Sequence, residues 1–167
     1  MSIKTLETER LVLRGWRLDD VDDLYEYAKK PSMAMGGWEP HANKSISLRA
    51  LREFIEEDDR WAVALKTSGK AIGQVRLYPD ENRGRFSERN SAYLINYALS
   101  EDYWGKGYMT EAVKRVVVYA FEELKIELLG VFTSHHNVRS KRVIERCGFQ
   151  YEGANEHSAM YSILRRK

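Results

Sequence analysis

Apolar residues change their spacing several times along the chain, and each change marks an element. In "RLVLRGW" (10–16) they alternate with polar residues, which predicts a first strand. "LDDVDDLYEYAKK" (18–30) carries acids at its start and lysines at its end, the charge order that a helix dipole favours. Asp19 or Asp20 is its expected cap and Pro31 its stop. "SMAMGGWEPH" (32–41) reads as a loop, broken by Gly36, Gly37 and Pro40. "SISLRALREFIEEDD" (45–59) predicts a second helix, with Leu48, Leu51 and Ile55 on one face and Ser45 or Ser47 as cap. "WAVALK" (61–66) and "AIGQVRLY" (71–78) flank "TSG" and predict a hairpin.

The polar stretch 79–91 reads as a long mobile loop, and "AYLINYAL" (92–99) as the next strand. A helix is expected over about 108–124, where Ala112, Val113, Val116, Val117, Ala120, Phe121 and Leu124 recur at three and four. "LLGVFT" (128–133) is nearly continuous in apolar residues, as in a strand covered on both faces. "NVRSKRVIERCG" (137–148) predicts a short helix with Asn137 as cap and Gly148 as stop. "FQYEG" (149–153) and "AMYSILRR" (159–166) close the chain as strands. The order is β α α β β β α β α β β. The β-α-β unit over 92–133 calls for two parallel strands and a right-handed crossover. Strands without intervening helices near both ends call for antiparallel additions, hence a mixed sheet.

A chain of 167 residues fits one domain, 1–167, with a sizeable core. With 43% hydrophobic and 31% charged residues it has a globular composition. A net charge of +2 argues against nucleic acid or membrane binding by bulk electrostatics. Arg165, Arg166 and Lys167 read as a solvated basic end. A single cysteine, Cys147, allows no internal disulfide and suits a reducing cytosol. The first residues hold no apolar core of signal-peptide length, and no apolar run approaches membrane-spanning length. The expected location is therefore cytoplasmic.

One stretch stands apart. "YWGKGYMTEAV" (103–113) puts two glycines around a lysine just where a helix begins. The plain reading is a tight strand-to-helix turn. The functional reading is anion binding: free N–H groups at a helix start attract phosphate, and glycines remove the Cβ atoms that would keep it away. The Walker pattern needs four residues between its glycines and then Lys-Ser/Thr, which "GKGYMT" lacks. The Rossmann pattern needs a glycine where Thr110 stands and an acid after the next strand; Glu127 precedes that strand.

"LSEDYWGKGYMTEAV" (99–113) resembles the acetyl-coenzyme A loop of the GNAT acetyltransferases, and closely that of the RimJ/RimL branch. "HNVRSKRVIERCGFQYEG" (136–153) is similar to a second block of that branch, and "TLETERLVLRGWRLDDVDDLYEY" (5–27) to its opening. The resemblance implies the GNAT-like acyl-CoA N-acyltransferase fold, an α/β (α+β) mixed sheet. That sheet is mostly antiparallel, holds one parallel, splayed strand pair and is flanked by about four helices. It implies transfer of an acetyl group from acetyl-CoA to a primary amine by direct attack through a tetrahedral intermediate. Carried over residue by residue, Gly105, Lys106, Gly107, Tyr108, Met109 and Thr110 hold the pyrophosphate. Tyr97, Ala98 and Leu99 pair with the pantetheine arm, and Asn137 contacts it. The Leu99 N–H is the candidate oxyanion donor, and Ser140 the hydrogen-bond donor to the leaving thiolate.

The general base departs from the pattern. Leu94 stands where the branch often has a glutamate, and Asn96 replaces its glycine. His41 is the candidate by its unperturbed pKa; Glu39, Glu88 and a water chain are alternatives. His135 and His136 are adjacent and point opposite ways in an extended stretch, so no metal is expected. Cys147 reads as a buried core thiol. The expected partners are acetyl-CoA and an amine acceptor, with a homodimer as an option. Protein N-termini, polyamines, antibiotics and amino acids are all acceptors within the family. The rival reading is a non-catalytic acetyl-CoA sensor.

Overall fold

The computed structural model describes residues 2–81 and 92–166. Eight strands form one sheet: β1 (Leu6–Glu7), β2 (Leu11–Arg14), β3 (Arg60–Leu65), β4 (Ala71–Pro79), β5 (Ala92–Leu99), β6 (Leu128–Ser134), β7 (Gln150–Ala154) and β8 (Ser158–Leu164). Their spatial order is β1-β2-β3-β4-β5-β6-β8-β7. Every neighbouring pair is antiparallel except β5 and β6. Four α-helices accompany them: α1 (Val21–Ala28), α2 (Lys44–Glu57), α3 (Tyr108–Glu122) and α4 (Val138–Arg146). Three short 3-10 turns complete the set among the described residues. This is the mixed sheet with one parallel pair that the sequence and the resemblance implied.

The sheet separates two apolar layers. On one face Met109, Ala112, Val113 and Val116 of α3 and Ile144 of α4 pack on Ile72, Val75, Ile95, Leu129 and Val131. On the other, Leu24 and Tyr27 of α1 and Leu51 and Phe54 of α2 pack with Trp16 on Ala62, Ala71 and Ala98. The second layer uses small strand residues, which leaves room for aromatic side chains from the helices.

Several local expectations change. The first strand is shorter than 10–16, and Leu6–Glu7 adds a rung, Leu6 opposite Leu13. The helix expected over 18–30 opens as a 3-10 turn, Leu18–Asp20, and ends at Ala28. Asp20 does not cap it with its side chain, because its carboxylate is taken by Arg14 at 2.7 and 2.8 Å and by the Arg17 N–H at 2.9 Å. Part of the expected 32–41 loop is a 3-10 turn, Pro31–Gly36, started by the fixed φ of proline. α2 is capped by Asn43, whose Oδ1 accepts from the Ile46 N–H at 3.1 Å, not by Ser45 or Ser47. Its buried face is Ser47, Leu51 and Phe54, and Ile55 is 42% exposed. α3 ends two residues early, at Glu122. No helix among the described residues is long and apolar enough to cross a membrane.

The parallel pair opens the centre of the sheet. β5 and β6 are in register only from Ala92↔Leu128 to Leu94↔Gly130. β5 stays paired with β4 up to Leu99, and β6 with β8 up to Ser134. The C-terminal halves of β5 and β6 therefore separate and leave a gap between them.

Candidate active site

The direction of the backbone groups beside this gap follows from one bond. The Ser100 N–H donates to Ile72 O of β4 at 2.8 Å. Alternation then turns the N–H and C=O of Ala98 to β4 and those of Leu99 and Tyr97 into the gap. The Leu99 carbonyl is taken there by Trp104 Nε1 at 3.1 Å. The Leu99 N–H and both Tyr97 groups remain for an extended ligand strand.

β5 runs through the turn Glu101–Tyr103 into the glycine loop and α3. Gly105 and Gly107 have φ of 75° and 79°, a left-handed conformation that suits glycine. The first intrahelical bond is Glu111 N–H to Gly107 O at 3.0 Å. The N–H groups of Tyr108, Met109 and Thr110 precede it and point out of the helix start, at its positive end. A Cβ at Gly105 would meet nothing within 4 Å, so the loop faces open space.

The loop is braced from β2. Arg10 donates through Nη1 to Lys106 O at 3.0 Å and lies 4.3 Å above the Tyr108 ring. Its Nε and backbone N–H donate to Glu111 at 2.7 and 2.9 Å, and Thr8 Oγ1 adds a bond of 2.6 Å. Burial pushes the Glu111 carboxyl up, but the bonds from Thr8 and Arg10 outweigh it and hold it below the usual carboxylate range. The sequence reading missed this brace; Thr8 and Arg10, between β1 and β2, carry no local signal of a partner a hundred residues away.

On the opposite wall stands α4. Asn137 Oδ1 caps it by accepting from the Ser140 N–H at 3.1 Å, and Asn137 Nδ2 reaches Met35 O at 3.4 Å. Ser140 Oγ and the Tyr97 hydroxyl are 2.8 Å apart, and the Tyr97 hydroxyl is 3.1 Å from Ser140 O. Burial pushes the Tyr97 phenol well above its usual range, against the smaller opposing effect of its Ser140 bond, so it keeps its proton. Sequence reasoning used Tyr97 only for its backbone.

These parts enclose one cavity of about 310 Å³. Tyr97, Ala98, Leu99, Gly105, Gly107, Tyr108, Met109, Thr110, Asn137 and Ser140, all singled out from the sequence, line it. Lys106 does not; its Nζ sits 5.5 Å from the Tyr103 ring centroid. Met33, Met35 and Trp38 close one side, and Arg139, Arg142 and Arg146 of α4 give the other a positive rim that the sequence reading did not foresee. Arg139 stacks on Trp104 at 4.4 Å.

His41 is not among the lining residues. Its backbone N–H donates to Ala28 O at 2.8 Å and its Nδ1 is 2.7 Å from Ser47 Oγ, while burial lowers its pKa. Glu39 is exposed, and Glu88 lies outside the described residues. Leu94 packs with Ala92, Leu128 and Met160. His135 Nε2 donates to Asn155 O at 2.7 Å, and no cluster of three potential metal ligands occurs among the described residues. Cys147 is a buried thiol, pushed up to about 11 by that burial.

Comparison with known proteins agrees with this geometry. Residues 10–150 fit the model of the acetyltransferase (GNAT) domain, and the chain belongs to that family. It is an acetyltransferase. The putative ribosomal N-acetyltransferase YdaF of Bacillus subtilis is 28% identical over 87% of this chain and 80% of its own length. The [ribosomal protein uS5]-alanine N-acetyltransferase of Escherichia coli is 28% identical over 89% of this chain and 79% of its own. The crystal structure of a GNAT-family acetyltransferase from Bacillus anthracis superposes with a TM-score of 0.85 at 20% identity, covering 97% of this chain and 99% of that one, which shows the shared fold.

Proposed function

We propose that the protein transfers the acetyl group of acetyl-CoA to a primary amine, with the N-terminal amine of a protein as the first acceptor to test. One observation carries this reading. The free N–H groups of the glycine loop, the gap between β5 and β6 and the Tyr97–Ser140 pair all open on the same cavity. The loop N–H groups suit a pyrophosphate, and Arg142 and Arg146 suit further phosphate charge. The gap-facing Leu99 N–H and Tyr97 groups suit the amides of the pantetheine arm, which lies along β5 as an added strand. The two ribosomal relatives and the wider family support an amine as acceptor.

In this reading a neutral amine attacks the thioester carbonyl. The Leu99 N–H lies on the gap side and stabilises the oxyanion. Collapse of the tetrahedral intermediate breaks the C–S bond, and Ser140 meets the leaving sulfur. Tyr97 stays protonated and donates to Ser140 Oγ, which leaves the serine O–H to hydrogen-bond the leaving thiolate, and the thiolate takes its proton from water. The proton lost by the amine leaves through water, with His41 proposed as its acceptor through Nε2, since Nδ1 is engaged by Ser47. A panel of amines with acetyl-CoA, scored by thiol release, tests the reading. It holds an alanine-terminated peptide, a polyamine, an aminoglycoside and a free amino acid. Release stimulated by one of them is expected; a coenzyme-bound protein that turns over none would favour the sensor.

A further inference from the structure

Two side chains from opposite walls of the cavity meet across it. Trp104 follows the Glu101–Tyr103 turn and precedes Gly105, and Arg139 lies in the first turn of α4. Both line the cavity, and the Arg139 guanidinium stands 4.4 Å from the centre of the Trp104 ring. A cation over the face of an indole is attracted by the negative charge of that face. The indole is itself fixed, because its Nε1 donates to Leu99 O at 3.1 Å. Trp104 is half-buried and Arg139 exposed, so the arginine is the member with freedom to swing.

The course of α4 shows what this contact crosses. Near its start, Ser140 Oγ is 2.8 Å from the Tyr97 hydroxyl at the gap. Just past its end, Cys147 Sγ lies 3.7 Å from Thr110 O in the first turn of α3. The helix therefore runs beside the whole way from the gap to the N–H groups that suit phosphate. A ligand with its phosphates on those groups and its thioester at Tyr97 and Ser140 lies between α4 and the wall made by Leu99 and Trp104. Arg139 adjoins Ser140, and Trp104 is bonded to Leu99, so their contact spans this path at its gap end. A second tie from the same end of α4, Asn137 Nδ2 to Met35 O at 3.4 Å, reaches the Pro31–Gly36 turn on the other side.

We propose that Arg139 and Trp104 form a strap across the coenzyme channel, which parts to let acetyl-CoA in and coenzyme A out and closes again over the bound pantetheine arm. The inference rests on the acetyl-transfer reading and assigns residues to its exchange of coenzyme. The strap joins protein to protein, so it needs no ligand to form. Coenzyme meets an open channel only while the two side chains are apart, which slows association. The pair also closes above the bound arm, so dissociation slows by the same factor and affinity is left nearly unchanged. A direct contact to the coenzyme would instead alter affinity. Arg142, on the same helix and rim, is such a case: its charge attracts phosphate, which speeds association and tightens binding.

The test needs no amine. Association and dissociation rates of acetyl-CoA are measured by surface plasmon resonance on the parent protein and on Arg139→Ala, Trp104→Leu and Arg142→Ala, at a salt concentration that screens a single lost charge. Arg139→Ala is expected to raise both rates about two- to fivefold, in the same proportion, so that Kd holds. Trp104→Leu, which keeps every charge and removes the ring, should do the same; Arg139 is exposed, so its variant carries the test if Trp104→Leu does not fold. Arg142→Ala should raise neither rate together with the other, and at low salt should slow association and weaken binding. Unchanged rates in Arg139→Ala would overturn the proposal. So would faster dissociation alone, which would make Arg139 an ordinary contact to the bound coenzyme, and slower association alone, which would make it a phosphate attractor like Arg142. If the parent protein binds no acetyl-CoA, the functional reading falls and this inference with it. If the parent binds and the Arg139 variant exchanges coenzyme at the parent's rates, this inference alone falls.

Discussion

Arg10 and Glu111 stand 101 positions apart in the chain and meet at 2.7 Å beneath the glycine loop. The contact joins the start of β2 to the first turn of α3. Glu111 places a carboxylate at the positive end of the helix, and Arg10 carries the bracing on to Lys106 O and the face of Tyr108. The loop is thereby shaped before a ligand arrives, which lowers the ordering cost of binding.

Removing this brace is expected to cost both stability and affinity. Glu111→Ala breaks three hydrogen bonds to a partly buried carboxylate and should lower stability by about 2–3 kcal/mol. Acetyl-CoA affinity should fall with it, because Lys106 and Tyr108 lose their support. Urea denaturation and calorimetry measure the two. The acid dependence gives a separate sign. The folded carboxyl titrates below the usual 4.5, so its contribution is present above that pH and is lost as pH falls through the lower folded value. Glu111→Gln should flatten this part of the stability profile; an unaltered profile would show that the carboxyl contributes nothing there.

The glycine loop can be separated from glycine geometry in general. Gly107 and Gly69 have nearly the same φ, 79° and 75°, but Gly69 lies in the β3–β4 hairpin, away from the cavity. Alanine at either should cost about 1–2 kcal/mol of backbone strain. Gly107→Ala alone should also weaken acetyl-CoA binding. Equal coenzyme affinity in the two variants would reduce Gly107 to a turn residue.

Ser140 and Tyr97 should act as one unit at the leaving sulfur. Ser140→Ala is expected to lower kcat roughly ten- to a hundredfold with little change in acetyl-CoA affinity, since the bond it removes strengthens in the transition state. Tyr97→Phe should act in the same direction, and the double variant should fall well short of the summed losses. Simple additivity would contradict a shared relay.

Where the sequence was legible and where it was not has physical causes. The stripe from Ala112 to Ala120 was readable because its own period reports its burial, and Leu128–Val131 because a continuous apolar run does; Phe132, in the same run expected to be covered on both faces, is 48% exposed. Asn137 was readable as a cap because its partner, Ser140, is three residues away. α2 misled because Ile55 fits a helical stripe yet faces solvent, while the polar Ser47 is buried through its bond to His41. The cavity-lining loop and strand residues came from the resemblance, not from periodicity. The Arg10–Glu111 brace, the Tyr97 side chain and the Arg139–Trp104 contact all depend on which elements become neighbours, and no local pattern encodes that.

His41 gives a test of the proton's route. A base must be neutral to work, so activity should fall as pH drops through its pKa. Burial lowers that pKa, which puts the acidic limb of kcat/KM below histidine's usual 6.5. His41→Ala should remove the limb. A limb that persists unchanged would take His41 out of the reaction and leave Glu39, Glu88 or water.

The central claim is acetyl transfer from acetyl-CoA to a primary amine, and following the acetyl group itself tests it most directly. The protein is incubated with acetyl-CoA labelled in the acetyl carbon and with each amine of the panel, and label on the amine is compared with thiol released. One label on the amine per thiol is expected, together with coenzyme stabilisation of roughly 2.7 kcal/mol at a hundred times its Kd. Stabilisation without label on any amine would contradict the claim and leave a protein that binds acetyl-CoA without using it.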